Sequence, residues 1–251
     1  MKLEKILPKN LKRREIALKI YNKYFKKYTN EELTYHKWIK QNEPSKQKLE
    51  KQKKEKFKIN PKISIVVPLY NTPKKFFDEL VESLKGQTYS NWELCLADGS
   101  PIPIEYIKDY LKDGRIKYKI IGENKGISGN TNEAITLVTA DYIGLLDHDD
   151  LLPEFALFEI VKTINENSDV EFIYTDEDKC TTIKNRYDPH FKPDFAIDTL
   201  RSVNYICHFS IYKKELMNKL GGIRSEFDGA QDYDFVLRCV ERTSSIYHIP
   251  K

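Results

Sequence analysis

The sequence predicts an α/β protein, in which helices cover both faces of a mostly parallel β-sheet and a helical extension precedes it. From Ile63 onwards, short apolar segments rich in β-branched residues alternate with segments whose apolar residues recur at helical spacing. The chain has 251 residues, enough for one domain of ordinary size and an extension. Residues 1–62 contain 20 Lys and Arg against 7 Asp and Glu, a net +13, whereas the remainder carries −9.

Residues 1–61 are predicted to form a basic helical extension, and residues 62–251 a second domain. Apolar residues recur at roughly helical spacing between 11 and 21 and again around Tyr35 and Trp38. The charged segment 46–58 is predicted to be an exposed helix or linker, and Asn60-Pro61 marks the boundary. The extension has few large apolar residues, so we expect it to dock on the following domain.

The positive charge of the extension admits several interpretations. A basic face can bind nucleic acid, anionic lipid or an acidic partner, and it can equally be a solvated helix face. Residues 1–62 contain no nucleic-acid motif with base-stacking aromatic residues, so no nucleic-acid partner is expected. Peripheral contact with an anionic membrane is the functional alternative to a solvated face.

Several features indicate a cytoplasmic protein. No run of about 18 apolar residues is present, so no membrane span is expected. The N-terminus, MKLEKILPKN, lacks the apolar core of a signal peptide. The four cysteines are scattered without a CxxC pair, which favours reduced thiols over a disulfide framework or a zinc site. A peripheral position at the inner face of the membrane is compatible with these features.

The elements of the second domain follow from its hydrophobic pattern. Strands are predicted at residues 63–70, 92–98, 116–121 and 141–147. Helices are predicted at residues 72–87, 104–112, 128–139 and 153–164. Ser128 is the expected N-cap of the third helix, and Gly86 lies near the end of the first. The first helix is expected to bury one face, formed by Phe76, Phe77, Leu80, Val81 and Leu84.

Asp147 ends the fourth predicted strand, at the edge where parallel sheets bind ligands. If the chain stays extended, Asp147 and Asp149 project to the same side, and paired carboxylates suit Mg²⁺ or Mn²⁺. The alternative is helix capping before Pro153. However, Pro favours the first helical position, which makes Leu152 the cap and leaves Asp149 and Asp150 too early in the chain.

Two further features are expected at the same edge. Asp98 closes the second strand before Gly99, either as a turn residue or as a carboxylate that recognises a base edge. Residues 122–132, GENKGISGNTN, lead into a helix and would let a phosphate or ribose approach the backbone. This segment is neither GxGxxG nor a phosphate-binding P-loop, which requires Gly-Lys-Ser/Thr.

Seven blocks of the sequence, in their order and spacing, resemble the family 2 glycosyltransferases with the GT-A fold. They are ISIVVPLYN (63–71), LADGS (96–100), NKGISGNTN (124–132), LLDHDD (145–150), YTDEDK (174–179), NYICHFSIYKK (204–214) and FDGAQDYDFVLR (227–238). The resemblance covers about residues 62–250. It is greatest to bacterial enzymes of cell-surface polysaccharide assembly, of the rhamnan and O-antigen types. It implies a Rossmann-like sheet preceded by a helical segment with a Tyr/Trp pair.

The resemblance implies roles for the matching residues. Tyr70 would lie beside the base, and Asp98 would accept a hydrogen bond from a uracil-like imide. Asp147-His148-Asp149 would be the DXD motif, with Asp149 the main metal ligand and Asp147 nearer the ribose. The implied nucleotide-binding residues are Pro68, Tyr70, Asn71, Asp98, Asn124, Gly126, Asp147 and His148.

The resemblance also places Asp232, in GAQDYD, where the family's ED motif supplies the catalytic base. A sugar hydroxyl attacks weakly unless a positioned carboxylate takes its proton. Asp232 also lies at a predicted helix start, where Asp is favoured for structural reasons. Asp176, Glu177 and Asp178 form a second acidic cluster, which could bind acceptor or donor sugar or supply the base instead.

The implied function is inverting, metal-dependent transfer of a sugar from a UDP- or dTDP-type donor to a glycan or lipid-linked acceptor in cell-surface polysaccharide synthesis. The alternative is a glycosyltransferase-like module that binds nucleotide or a partner protein but turns over poorly. Gln231 and Thr131 depart from the Glu and Arg that many relatives have. Relatives commonly continue beyond the position of Lys251 with a block containing a His near the metal. We therefore expect the second domain to lack that block.

Overall fold

The structure, a computed structural model, describes residues 30–182 and 185–251. Predictions for the first 29 residues lie outside this range, so the interpretation of the extension as a basic docking or membrane-binding segment stays a prediction. Contacts divide the described chain into two compact units. The larger consists of Pro44–Asp178 and Pro189–Lys251, and the smaller of the described residues up to Glu43 with Lys179–Asp188.

The smaller unit contains helix α1, Asn30–Asn42. Tyr35 and Trp38 stack on this helix with ring centroids 5.9 Å apart. Arg186 Nη1 donates to Glu43 Oε1 at 2.6 Å, and both side chains are mostly buried. The aromatic pair that the sequence singled out therefore belongs to a folded part of the chain.

The larger unit is built on a seven-stranded sheet. Its strands in chain order are β1 (Ile63–Leu69), β2 (Trp92–Asp98), β3 (Ile116–Ile120), β4 (Tyr142–Leu145), β5 (Phe172–Thr175), β8 (Ser210–Lys213) and β9 (Ile246–Ile249). A separate two-stranded sheet pairs β6 (Glu177–Thr182) with β7 (Asn185–His190). The α-helices are α2 (Lys46–Gln52), α3 (Lys74–Lys85), α4 (Gly126–Ile135), α5 (Ala156–Glu166), α6 (Ile197–Ser202), α7 (Lys214–Leu220) and α8 (Gln231–Val240).

The strand order in the large sheet is β3-β2-β1-β4-β8-β5-β9. Neighbours are parallel except at β8, which runs antiparallel to both β4 and β5. The prediction of a mostly parallel α/β sheet is thus confirmed. The order reverses at β1, because β2 and β3 extend to one side and β4 to the other. Such a reversal opens a crevice at the carboxyl ends of the strands.

Apolar side chains fill both faces of the sheet. Almost every residue of β1 and β2 is fully buried, which explains why their sequences are continuous apolar runs rather than alternating ones. One core lies against α3 and α5, with Leu80, Val81 and Ile160 at its centre. The other lies against α4 and α8, with Ala134 and Phe235 among its members. Helices therefore cover both faces, as predicted.

The structure corrects three local predictions. Phe76 is 37% exposed, so only four of the five predicted apolar residues of α3 are buried. Helix α4 begins at Gly126 rather than after Ser128, and Ser128 does not cap it. Helix α5 begins at Ala156 with Phe155 as N-cap, so Leu152 is not the cap. In contrast, Gly86 ends α3 as expected.

Residues 44–61 belong to the larger unit. Phe57 packs against the buried core and lies 5.1 Å from the ring of Phe158. Tyr89 donates to the carbonyl of Pro61, and Thr88 donates to Gln52 Oε1 at 3.0 Å. The charged helix α2 exposes most of its surface, as the sequence predicted. Within the described residues, no helix is long and apolar enough to cross a membrane.

Candidate active site

The segment after β4 forms a turn. The backbone N–H of Asp150 donates to the carbonyl of Asp147 at 3.2 Å. The chain is therefore not extended across residues 147–149. The sequence-based expectation that an extended chain would put Asp147 and Asp149 on the same side is wrong. The turn instead brings Asp147 and Asp150 together, while Asp149 is exposed and His148 is partly buried.

Asp147, Asp150 and His208 form a candidate metal site. One ligand atom from each lies within 4.8 Å of the others. His208 Nε2 is 3.6 Å from Asp147 Oδ2, and its buried Nδ1 has no hydrogen-bond partner among the described residues. Carboxylates bind both Mg²⁺ and Mn²⁺, whereas an imidazole ligand favours a transition metal. Two carboxylates with one imidazole therefore suit Mn²⁺ better than Mg²⁺. The residues therefore fit a divalent cation. The assignment of Asp149 as the main metal ligand stays a prediction.

The electrostatics of this site also favour a cation. Burial raises the pKa of Asp150 to about 6, with His208 lowering it and the carboxylates of Asp147, Asp149 and Glu177 raising it. A bound divalent ion would lower the pKa of Asp150 again, because an opposite charge favours the ionised carboxylate. Crowded carboxylates that are hard to ionise in one crevice are typical of a functional site.

His208 enters the site from the loop before β8. This residue lies about 60 residues after the acidic motif in the chain. The antiparallel strand β8 pairs with β4, with Ser210 beside Leu145, and this register brings His208 to the turn after β4. No spacing rule reveals such a ligand, because the pairing of β8 with β4 is a tertiary contact.

Asp232 lies in the first turn of α8, beside the same cluster. The N-cap of α8 is Ala230 and makes no side-chain capping bond, so Asp232 does not cap the helix. Burial raises its pKa; the nearby His208 lowers it and Asp147 raises it. Gln231 accepts from the backbone N–H of Gly229 at 2.7 Å and donates through Nε2 to Asp232 Oδ2 at 3.1 Å. The amide of Gln231 therefore orients this carboxylate.

An open cleft joins these groups, and the empty space in it, including open solvent at its mouth, is about 320 Å³. Asp147, His208 and Asp232 form its polar end, whereas most of the remaining wall is aliphatic. Pro68, an expected nucleotide-site residue, also lines it. The full lining consists of Val66, Pro68, Ile127, Thr131, Leu145, Leu146, Asp147, His208, Ile223, Gln231 and Asp232.

The Gly/Asn-rich segment is held by contacts with the loop before α8. Asn124 Oδ1 accepts from the backbone N–H of Gly126 at 3.0 Å. Asp228 Oδ1 accepts from the N–H of Ser128 at 3.2 Å, and a Cβ at Gly126 would clash with Asp228. Gly126 also has φ +75°, a conformation that favours glycine. An aspartate thus occupies the N-terminus of α4, where the sequence predicted nucleotide phosphates.

The remaining nucleotide-site candidates lie at the ends of β1 and β2. Tyr70 is 47% exposed and Asn71 has φ +48°. Asp98 is completely buried. Its carboxylate accepts from the N–H groups of Ser100 and Ile104 and from the hydroxyl of Tyr118. Three protein donors therefore fix the loop after β2 through Asp98, and its contact with a base stays a prediction.

The acidic cluster 176–178 is divided by the structure. The side chain of Asp176 is 7% exposed and accepts from the N–H of Lys192 at 2.8 Å, and His248 Nε2 lies 2.9 Å from it. Glu177 contacts the backbone of His208. Asp178 is partly buried at the start of β6. Asp176 and Glu177 thus serve to hold neighbouring segments, and binding of sugar by the cluster stays a prediction.

Comparisons with known proteins agree with this architecture. The profile of "Glycosyl transferase family 2" matches residues 64–221. An uncharacterised protein of Sinorhizobium fredii is 43% identical over 197 residues, which is 76% of this chain and 22% of the relative. The O-antigen biosynthesis protein RfbC of Myxococcus xanthus is 32% identical over 219 residues, 86% of this chain and 17% of the relative. The chain therefore spans about a fifth of the length of these curated relatives.

Solved structures share the fold. Residues 1–349 of S. aureus TarS in complex with UDP superpose with a TM-score of 0.63 at 20% identity, over 76% of this chain and 58% of that fragment. The mannosyltransferase PcManGT from Pyrobaculum calidifontis gives a TM-score of 0.56 at 16% identity, over 94% of this chain and 68% of that protein. Together, the profile match and the GT-A architecture show that the chain belongs to glycosyltransferase family 2.

Proposed function

We propose that this domain transfers a sugar from a nucleotide-diphosphate donor to a hydroxyl group of a glycan or lipid-linked acceptor, with inversion at the anomeric carbon. The observation that supports the proposal is the meeting of Asp147, Asp150 and His208 with Asp232 at one crevice. One direct displacement requires one base and a stabilised leaving group. Similarity to RfbC suggests cell-surface polysaccharide synthesis as the setting.

Each group has a distinct task in this proposal. Asp147, Asp150 and His208 would hold Mn²⁺, or Mg²⁺ less well, and a bound cation supplies neutralisation of the departing diphosphate. Asp232 takes the proton of the acceptor hydroxyl, and its raised pKa suits a base that must hold a proton. Gln231 keeps that carboxylate directed, and the aliphatic wall of the cleft limits access of water.

The donor and metal can be tested together by thermal shift. We expect Mn²⁺ to increase the stabilisation by UDP or dTDP, because a ligand bound only to the native state stabilises it by mass action, about 2.7 kcal/mol at 100 times its Kd. GDP belongs in the panel, since the PcManGT complex contains GDP-Man and Mn²⁺. Absence of any nucleotide-dependent shift would contradict the proposal.

Two variants decide which aspartate binds the cation. The structure favours Asp150→Ala as the variant that abolishes the Mn²⁺-dependent shift, whereas the DXD motif favours Asp149→Ala. Asp141→Ala is the matched control, because Asp141 is exposed at the opposite end of β4. Transfer and donor-hydrolysis assays on the wild type separate an active enzyme from a module that binds nucleotide and turns over poorly.

The basic extension supports a further part of the proposal, peripheral contact with anionic membrane, where lipid-linked acceptors reside. Residues 1–62 carry a net charge of +13. Each Lys or Arg near an anionic surface contributes about 1 kcal/mol, and salt screens this attraction. We expect sedimentation with vesicles containing anionic lipid, weakened at high salt. Equal binding to neutral vesicles would contradict it.

A further inference from the structure

Lys192 is a buried lysine that the proposed chemistry does not use. Its side chain is completely inaccessible to solvent. A buried ammonium group is costly unless the surrounding protein provides acceptors and an opposite charge. The contacts that offset the cost of burying this ammonium group therefore indicate the role of Lys192.

The ammonium group of Lys192 binds the loop that contains His208. Lys192 Nζ donates to the carbonyl of Ile206 at 2.6 Å and to the carbonyl of His208 itself. Glu177 Oε2 lies 3.5 Å from the same nitrogen. The backbone N–H of Lys192 donates to Asp176, so the lysine is itself held in place at its main chain.

Glu177 binds the other backbone group of His208. Its Oε2 accepts from the N–H of His208 at 3.1 Å, and its Oε1 lies 3.0 Å from His190 Nδ1. The N–H and the carbonyl of one residue are thus bound by the two members of one ion pair. In contrast, the imidazole of His208 has no protein hydrogen bond in the described chain and faces Asp147.

We propose that Lys192 and Glu177 are positioning residues that hold His208 within the candidate metal site. Backbone positioning takes the place of the hydrogen bond to the second ring nitrogen that usually orients a metal-binding histidine. The proposal deepens the proposed function and rests on it, because it assigns His208 to the cation. It also explains why the acidic cluster 176–178 lies beside the site without Asp176 or Glu177 belonging to its ligand set.

The test measures Mn²⁺ binding directly by electron paramagnetic resonance of the free ion, without donor or turnover. We expect Lys192→Met to weaken Mn²⁺ binding about 10–100-fold, the usual loss when a supporting contact of a metal ligand is removed. His208→Ala should lose at least as much. Lys214→Met is the matched control, because Lys214 Nζ also donates to a carbonyl, that of Val138, but near the amino end of β4.

Two Glu177 variants keep the test decisive if Lys192→Met does not fold. Glu177→Ala removes the acceptor for the His208 N–H and should weaken Mn²⁺ binding, whereas Glu177→Gln keeps an acceptor and should restore most of it. If His208→Ala weakens binding but Lys192→Met and Glu177→Ala do not, the positioning role is overturned and the metal site stands. If the wild type shows no specific Mn²⁺ binding, or if His208→Ala binds Mn²⁺ as tightly as the wild type, both are overturned.

Discussion

The two ends of the large sheet both contain carboxylates that are at least partly buried, but in opposite electrostatic settings. At the amino end, Glu93 of β2 is only 3% exposed. It accepts from Ser64 Oγ and from the N–H and hydroxyl of Thr139, and it pairs with Lys117 at 3.0 Å and Lys62 at 3.4 Å. Burial raises the pKa of Glu93, but hydrogen bonds from Ser64, Thr139 and Lys117 lower it to about 2.

At the carboxyl end, Asp147 and Asp150 lie beside His208, and Asp232 lines one cleft with Asp147 and His208. Among the described residues, no Lys or Arg forms an ion pair with any of them. The pKa of Asp150 is raised to about 6 and that of Asp232 is raised as well, in both cases chiefly by burial. Lys62 and Lys117 thus balance the charge of Glu93 at the amino end. At the carboxyl end, a bound cation would have to provide the corresponding positive charge.

On the proposed function, the difference separates a structural acid from a functional one. A buried carboxylate with a full set of internal donors stabilises the native state, whereas a group of carboxylates without them costs stability until a cation binds. Acidic residues occur at both ends, so residue type does not identify the site. The property that distinguishes the carboxyl end is that no Lys or Arg among the described residues pairs with its cluster of carboxylates.

The largest expected effect is the loss of turnover in Asp232→Asn. A positioned base contributes about 10²–10⁴-fold to the rate, and Asn cannot take the proton. Transfer kinetics should show this loss, while Mn²⁺ affinity stays near that of the wild type. Glu93→Gln should retain turnover under conditions where it is folded. Asp176→Asn and Asp178→Asn should lose less, and a greater loss in either would move the base to the 176–178 cluster.

The next effect is a loss of stability in Glu93→Gln. Removal of one partner from a buried ion pair costs about 3–5 kcal/mol, because it leaves the other charge uncompensated. Lys62 and Lys117 are partly exposed, so we expect the low end, about 3 kcal/mol, in urea unfolding at pH 7.

The pH dependence sharpens this prediction. The folded pKa of Glu93 is below the ordinary value of 4.5. The contribution of ionised Glu93 to the free energy of unfolding is therefore present above about pH 4.5 and is lost as the pH falls towards 2. The unfolding free energies of the wild type and Glu93→Gln should converge there. A constant difference across this range would contradict the role of the carboxylate charge.

A smaller effect of opposite sign is expected for Asp150→Asn. The folded pKa of Asp150 is raised from 3.8 to about 6, so its ionisation destabilises the native state above about pH 6 and not below 4. Without metal at pH 7.5, the variant should therefore be more stable than the wild type, by on the order of 1–3 kcal/mol. It should also bind Mn²⁺ more weakly. Lower stability than the wild type in metal-free buffer would place Asp150 with Glu93 as a structural acid.

The smallest effect concerns Asp176, an acid of the carboxyl end that contacts an internal histidine, His248. Burial lowers the pKa of His248, but its contacts with Asp176 and Asp194 raise it above 6.5 overall. This raised pKa stabilises the fold below about pH 6.5, and the contribution is lost as the pH rises through the folded pKa. His248→Gln should lose about 1 kcal/mol at pH 6 and less at pH 9 in urea unfolding. An equal loss at both values would indicate packing against Tyr174 instead.

Much of this molecule was predictable from local sequence. The apolar runs of β1 and β2, the buried face of α3 and the parallel sheet follow from hydrophobic periodicity, which is a local property. The edge at which Asp98 and Asp147 lie follows from the same rule, because parallel strands end on one side. The ordered motifs also identified the family.

Only the tertiary structure decided which side chains share the site. The turn after β4 brings Asp150, rather than Asp149, close to Asp147, and the pairing of β8 with β4 brings His208 to them from a distant segment. The ion pair between buried Lys192 and partly exposed Glu177 is likewise a tertiary contact. The physical reason is that periodicity reports which face of an element is apolar. The balance of buried charges depends on partners that are far apart in the chain, and only packing brings them within reach of one another.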